Sequence, residues 1–137
     1  MKQIVLAGHG NFASGLYSAA KIILGEQNFV TYLDCYVDDK QDVENDIKHI
    51  IESFGEEDEI IFLTDVFGGS VNNTIMKLME LRDLKLITGI NLNLLLSLIL
   101  NIDMELEELI KISIKESKNG LINCNQIIEN DMEEDDF

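Results

Sequence analysis

The segment Ile4-Val5-Leu6-Ala7-Gly8-His9-Gly10 decides the fold and also carries the first candidate functional residue. Its first four residues form an unbroken apolar run, which is typical of a strand buried on both faces of a parallel sheet. The run ends at Gly8, so that the polar ring of His9 stands between two glycines. We therefore predict a buried strand that delivers His9 to one edge of a sheet.

Strands and helices alternate along most of the remaining chain. Three further apolar runs read as strands, and apolar residues at helical spacing follow each of them. Asp42 and Ser70 stand where helix N-caps are expected. The predicted strands are 4–7, 30–36, 59–64 and 84–88, and the predicted helices start near residues 12, 43, 71, 92 and 105. This order predicts an α/β fold, a doubly wound and mainly parallel sheet of four strands flanked by helices.

The end of the chain departs from this alternation. Gly120-Leu121-Ile122-Asn123-Cys124 has the character of a late, short fifth strand. Six acidic residues fall within 129–137, a composition typical of disorder. We therefore predict one domain over residues 1–125 and a disordered acidic tail over 126–137.

Composition limits the classes of partner. The 137-residue chain carries 26 acidic and 10 basic residues, a formal charge of −16. Nucleic acids and anionic membranes are bound by clustered Lys and Arg, so we expect neither as a direct partner. The acidity fits two explanations equally well, a basic protein partner or simple solubility.

The chain shows no pattern for a metal or a nucleotide cofactor. Cys35 and Cys124 are its two cysteines, and their separation fits neither a CxxC motif nor a zinc site. Glycine-rich dinucleotide and nucleoside triphosphate motifs do not occur. With no signal-peptide pattern either, we expect a cytoplasmic protein that uses no metal and no cofactor.

His9 and Asp65 are the candidate reactive pair. Each follows a predicted buried strand, and ligands of open parallel sheets bind beyond the carboxyl ends of the strands. A carboxylate that accepts one imidazole N–H fixes the tautomer and leaves the other nitrogen free as a nucleophile. We therefore predict that His9 and Asp65 meet, with Asp65 orienting the ring.

Glycines surround both positions. Gly10, Gly68 and Gly69 expose backbone N–H groups, and helix N-termini near Asn11 and Ser70 favour anions. Together these features suit a transient phosphoryl group on His9, with Ser70 as a further hydroxyl donor. A receiver-like module phosphorylated on aspartate is disfavoured, because its acidic pair is absent after the first strand.

Three segments resemble one known family. Leu6–Gly10 with Phe12–Leu16, then Phe62–Ser70, then Gly89–Leu92 are similar, in the same order, to the signatures of IIA domains of mannose-type (mannose/fructose/sorbose) sugar phosphotransferase systems. The resemblance runs from Met1 to about Cys124. It departs from the family at Val71 and Asn93, where proline is frequent, and neither change removes a reacting group.

The resemblance implies a function for these residues. His9 matches the histidine phosphorylated by the phosphocarrier protein HPr, and Asp65 matches the acid that orients it. The phosphoryl group then passes to a IIB component, with the membrane reached only indirectly through IIC and IID subunits. Family members are typically homodimers, and the late strand at 120–124 can pack against the partner subunit.

Several alternatives stay open at this point. The phosphocarrier subunit of a dihydroxyacetone kinase shares the fold and the histidine, and a regulatory protein of the same fold transfers nothing onward. We expect partner docking around His9 to involve Phe12 and Phe67, although Phe12 also fits a core position.

Overall fold

The computed structural model describes residues 1–135, with side chains through residue 130. Four parallel strands form one sheet in the order β2-β1-β3-β4. The elements, in chain order, are β1 (Lys2–His9), α1 (Phe12–Leu24), β2 (Val30–Cys35), α2 (Val43–Glu52), β3 (Glu59–Thr64), α3 (Ser70–Leu78), β4 (Lys85–Thr88), α4 (Leu92–Leu100), α5 (Leu106–Asn119) and α6 (Cys124–Asp135). The predicted α/β fold with a four-stranded parallel sheet is confirmed.

β1 is an inner strand, paired in parallel with β2 on one side and with β3 on the other. The apolar side chains of β1 alternate between the two faces of the sheet and are buried on both. Ile4 and Leu6 belong to the core under α1, α4 and α5, whereas Val5 and Ala7 belong to the core under α2 and α3. Because side chains alternate across a strand, only an unbroken apolar run can fill two cores at once.

The helix ends follow local chemistry at most positions. Asp42 caps α2 by accepting a hydrogen bond from the Asn45 N–H at 3.1 Å, as its sequence position predicts. Gly25 ends α1 with a positive φ of 85°, a conformation that glycine adopts without steric cost. These ends keep the connections short and hold each helix against the sheet.

The chain after α5 differs from the prediction. Within the described residues no fifth strand forms: the Gly120 N–H bonds back to the Glu116 carbonyl, and residues 121–123 pair with no strand. Asn123 then accepts a hydrogen bond from the Asn125 N–H and begins α6. A strand needs a free sheet edge beside it, and the apolar pattern of the segment carries no information about where that edge lies.

The tail predicted to be disordered from residue 126 is helical through Asp135. Every residue from 118 to 130 is exposed, so up to residue 130 this helix is held by its backbone hydrogen bonds and the Asn123 cap, and not by burial of its side chains. Residues 136 and 137 of the predicted tail lie outside the described residues. The division of the chain at residue 125 stays a prediction.

Candidate functional site

His9 and Asp65 meet at the carboxyl edge of the sheet. His9 is the last residue of β1, and Asp65 directly follows β3. The pairing of Ala7 with Thr64 sets these two strand ends side by side. The imidazole Nδ1 lies 2.9 Å from Asp65 Oδ2, so the structure brings the predicted pair together.

The carboxylate of Asp65 is held by several donors. Oδ2 also accepts the backbone N–H of His9 at 2.8 Å, and Oδ1 accepts the Val66 N–H at 2.9 Å. Partial burial of Asp65 raises its pKa, but the hydrogen bonds from the His9 backbone and ring, with that of Val66, outweigh burial and hold the pKa below its ordinary value. Asp65 is therefore an ionised, fixed acceptor.

The position of Asp65 determines the tautomer of His9. An ionised carboxylate can only accept, so we assign the ring hydrogen to Nδ1. Nε2 then carries the free lone pair, and it makes no hydrogen bond within the described part of the chain. The His9 side chain is 43% exposed, which leaves Nε2 accessible to a partner as a nucleophile.

The loop after Asp65 packs directly on the imidazole. Gly68 has a positive φ of 77°, which favours glycine. A Cβ atom on Gly69 would lie 3.3 Å from His9 Cε1 and 3.1 Å from the Val66 side chain. Gly69 therefore lets the backbone before α3 approach the ring closely.

The N-terminus of α3 lies next to this contact. Gly69 is the N-cap, so the prediction that Ser70 caps the helix is wrong; Ser70 is the first helical residue, and it is exposed. No side chain caps α3, which leaves its first N–H groups without a side-chain acceptor. Thr64 Oγ1 donates to Asn72 Oδ1 at 2.8 Å and fixes this helix start on the end of β3. The arrangement favours an anion beside His9.

The N-terminus of α1 is different. Its third N–H, that of Ser14, donates to Asp34 Oδ1 at 2.9 Å, so a carboxylate already occupies this helix end. The Gly10 N–H is also used, because it donates to the Cys35 carbonyl at 2.8 Å. Two helix N-termini and three glycines were predicted to bind phosphate. The start of α3 and the N–H groups of Gly68 and Gly69 remain available for an anion. The start of α1 and the N–H of Gly10 are already hydrogen-bonded within the chain.

Gly8 is a site residue that sequence reasoning missed. A Cβ atom there would lie 2.8 Å from Phe12 Cδ1 and 3.3 Å from Asp65 Oδ2. Its place beside His9 in the sequence was the available signal.

The two predicted docking residues differ in exposure. Phe12 is half-buried and packs against the core, whereas Phe67 is 79% exposed. Of the two predicted docking residues, Phe67 has the accessible side chain.

Tyr36 is a second residue that the sequence did not reveal. Its ring lies against the imidazole of His9, with 5.5 Å between ring centroids and 31° between planes. Tyr36 also has a φ of 62°, a conformation that is uncommon for any residue except glycine. No sequence pattern predicts a left-handed tyrosine after a strand.

Neither a reactive thiol nor a metal cluster accompanies the pair. Burial, together with the charge of Asp65, raises the pKa of Cys35 to about 11, so this thiol stays protonated. Within residues 1–130, no three His, Cys, Asp or Glu side chains converge as a metal site would require. Among the described helices, none is both long and apolar enough to cross a membrane.

Comparison with known proteins assigns the family. The chain matches the family model described as "PTS system fructose IIA component" over residues 3–114, where PTS denotes a phosphotransferase system. The chain belongs to the mannose-type PTS IIA family. The family resemblance found in the sequence is thus confirmed, and His9, Asp65 and Gly69 of this PTS IIA chain all fall inside the matched region.

Individual relatives agree. This PTS IIA chain is 27% identical over 101 residues to the fructose-specific EIIA component of Bacillus subtilis (strain 168), covering 72% of this chain and 69% of the relative. A putative phosphoenolpyruvate-dependent sugar PTS permease from Klebsiella pneumoniae is 32% identical, with a TM-score of 0.87 and 93% of each chain covered. The PTS component EIIA from Streptococcus agalactiae is 26% identical, with a TM-score of 0.82 and coverage of 92% and 99%.

Proposed function

We propose that this PTS IIA component is a phosphoryl carrier, which accepts a phosphoryl group from HPr on Nε2 of His9 and passes it to a IIB component. The observation that carries the proposal is the 2.9 Å contact between His9 Nδ1 and Asp65 Oδ2. It leaves Nε2 as the free nucleophile beside the start of α3, which no side chain caps. The pair thus supplies both a nucleophile and a place for the anion.

Each transfer exchanges one bond to phosphorus for another. The Nε2 lone pair forms the new N–P bond while the bond from phosphorus to the donor atom breaks, and that electron pair returns to the donor. His9 keeps its Nδ1 hydrogen, so its ring becomes positively charged, and the Asp65 carboxylate stabilises that charge. Transfer onward reverses these changes and restores the neutral ring.

The phosphoryl oxygens are held by backbone groups in this proposal. Gly69, the N-cap of α3, lies beside the Cε1 atom of the imidazole, next to Nε2, so α3 begins close to the reacting nitrogen. The Ser70 hydroxyl adds a donor in the first turn. Such contacts position the group for in-line transfer, and they act by orientation and electrostatics.

Partner proteins complete the proposed cycle. HPr and the IIB component dock on the face around His9, where Phe67 supplies an exposed apolar contact. The chain works in the cytoplasm, and the membrane is reached only through IIC and IID subunits. We also propose a homodimer, which fits the exposed apolar side chains of Leu121 and Ile122, 89% and 53% accessible, and which light scattering can test.

The test is phosphorylation in a purified system. Incubation with phosphoenolpyruvate, enzyme I and HPr should add one phosphoryl group to the wild-type chain, measured by intact mass. The His9→Ala variant should gain none. His49→Ala is the matched control, because His49 is an exposed helical histidine that should not affect labelling. No adduct on the wild type, or an adduct that survives His9→Ala, would disprove the proposal.

A second step separates the open alternatives. The labelled chain is mixed with a IIB component and, in parallel, with a dihydroxyacetone kinase, and loss of the adduct is followed by mass. The sugar-transport descriptions of the relatives favour transfer to IIB. Transfer only to the kinase would support the kinase subunit, and retention of the group with both would support a regulatory role.

A further inference from the structure

Tyr36 stands out by its backbone. It directly follows β2, and within the described chain it is the one residue other than glycine with a positive φ, 62°. A side chain with a Cβ atom is disfavoured there, and the conformation persists only where surrounding contacts impose it. Such strain is found preferentially where a side chain must be held in a particular place.

Gln41 imposes this conformation. Its Oε1 accepts the Tyr36 N–H at 2.7 Å, and its Nε2 donates to the Asp34 carbonyl at 2.9 Å. One carboxamide thus bridges the backbone on both sides of Cys35. The Cys35 carbonyl in turn accepts the Gly10 N–H, which ties the same bend to the residue after His9.

The result is a third contact on the imidazole of His9. Asp65 holds the ring at Nδ1, and Gly69 approaches it at Cε1. The Tyr36 ring, half exposed, lies at a centroid distance of 5.5 Å. A ring held by one hydrogen bond can still tilt about that bond, and an aromatic neighbour limits the tilt.

We propose that Tyr36 is a positioning residue for phosphoryl transfer at His9, a role that rests on the proposed carrier function. Its ring fixes the plane of the imidazole so that Nε2 points at the incoming phosphorus. When Nε2 takes up the group, the imidazole becomes cationic, and the π face of an aromatic ring within about 6 Å stabilises such a charge. The strained backbone of Tyr36 is the cost of placing that ring.

Three substitutions separate the ring from the backbone. Tyr36→Phe keeps the aromatic face, Tyr36→Leu removes it, and Tyr36→Gly removes it while relieving the strain. Tyr32→Leu is the matched control, because Tyr32 is also half exposed but stacks on Tyr17, at 5.6 Å, instead of on His9. Gln41→Ala tests the anchor independently and should behave as a milder Tyr36→Leu.

The readout is the rate of transfer from phosphorylated HPr, measured by rapid quench over a range of HPr concentrations. Tyr36→Leu and Tyr36→Gly should lower the rate at saturating HPr about fivefold, as expected for a lost contact with a cationic ring. The half-saturating HPr concentration should not change. Tyr36→Phe and Tyr32→Leu should stay within about twofold of the wild type.

Thermal unfolding supplies a readout that a merely structural role would not give. Glycine adopts a positive φ without strain, so Tyr36→Gly should melt at or above the Tm of Tyr36→Leu although both transfer slowly. If both variants transfer at the wild-type rate, the positioning role is overturned while the carrier function stands. A raised half-saturating concentration with an unchanged maximal rate also overturns it, because Tyr36 would then be a docking residue.

Failure of the carrier function is distinguishable from failure of this role. If the wild type takes up no phosphoryl group, NMR relaxation of the His9 ring protons decides the matter. Greater ring motion in Tyr36→Leu than in the wild type and Tyr36→Phe supports positioning. Equal motion in all three overturns it.

Discussion

The two edges of the sheet use their polar groups in opposite ways. At the carboxyl edge, His9 Nε2 and the first N–H groups of α3 have no side-chain partner among the described residues. At the amino edge, polar groups satisfy one another. The Arg82 guanidinium donates to the carbonyls of Ile51, Gly55 and Asp58.

Asp58 completes the amino edge. It accepts the Gly55 N–H at 3.0 Å and pairs with the ammonium group of Met1 at 3.4 Å. The hydrogen bond from Gly55, ahead of the Met1 charge, lowers the pKa of Asp58. Asp58 and Asp65 are thus both hydrogen-bonded carboxylates, but only Asp65 contacts a side chain that keeps a free nucleophilic atom, the Nε2 of His9. A lowered carboxylate pKa occurs at both edges, so it does not identify the site. The site is distinguished by the polar groups beside Asp65 that have no hydrogen-bond partner among the described residues.

Of the variants considered, Asp65→Asn should lower phosphoryl acceptance at the carboxyl edge the most. An amide carries no charge to stabilise the cationic ring, and it can turn its NH₂ toward Nδ1 and favour the wrong tautomer. Phosphoryl acceptance from HPr should fall on the order of 100-fold, as measured by rapid quench. Asp58→Asn is the control at the other edge and should transfer normally. Equal losses in both variants would contradict the assignment of roles.

The same variant has an expected pH dependence. Because the folded chain holds the pKa of Asp65 below its ordinary value, the carboxylate stabilises the fold at pH values above about 3.9, and this contribution declines as the pH falls further. The stability gap between wild type and Asp65→Asn, measured by urea unfolding, should be smaller below about pH 4 than at pH 5. A gap that widens below about pH 4 would contradict the lowered pKa.

Gly69→Ala sharpens the comparison at the open edge. The added methyl group would stand 3.3 Å from His9 Cε1 and 3.1 Å from Val66 Cγ2, so the ring or the loop must shift. We expect about a tenfold lower transfer rate, because small displacements of reacting groups are costly. Gly15→Ala is the matched control, because the added Cβ atom would meet no atom within 4 Å. Gly15 lies inside α1, where alanine is favoured over glycine, so this variant should gain about 0.5–1 kcal/mol in free energy of unfolding. Its transfer rate should not change.

Arg82→Met tests the amino edge and should show the reverse pattern. Loss of the guanidinium removes three hydrogen bonds, although the Ile51 and Gly55 carbonyls keep the N–H groups of Phe54 and Asp58 as donors. The free energy of unfolding in urea titrations should therefore fall by about 1–2 kcal/mol. Phosphoryl transfer at 25 °C should not change, since the fold stays populated. A slower transfer by the folded variant would show that the two edges are coupled.

Much of the architecture was predictable because it depends on local patterns. The run at residues 59–64 coincides with β3, and Asp42 caps α2 as its chemistry requires. The meeting of His9 and Asp65 followed from the rule that parallel strands end at the same edge. It needed only that β1 and β3 be neighbours.

The errors concern choices that local sequence leaves undecided. In Gly68-Gly69-Ser70 the pattern allows the N-cap at Gly69 or Ser70, and the structure has it at Gly69, where a Cβ atom would lie 3.3 Å from His9 Cε1. The Leu121–Asn123 segment has a strand-like pattern, but pairing depends on an edge far away in sequence. The conformation of Tyr36 depends on a hydrogen bond to the carboxamide of Gln41, and the spacing of apolar residues in the sequence does not predict that contact.

The parallel register between β1 and β3 has a consequence for how the chain is made. His9 and Asp65 are 56 residues apart in sequence, and they meet only when Ala7 faces Thr64. A slip of one residue would move one strand end by about 3.3 Å and turn His9 to the opposite face. If the chain carries a phosphoryl group as proposed, HPr would not phosphorylate such misfolded chains, and the phosphorylated fraction of a preparation would measure its correctly folded molecules.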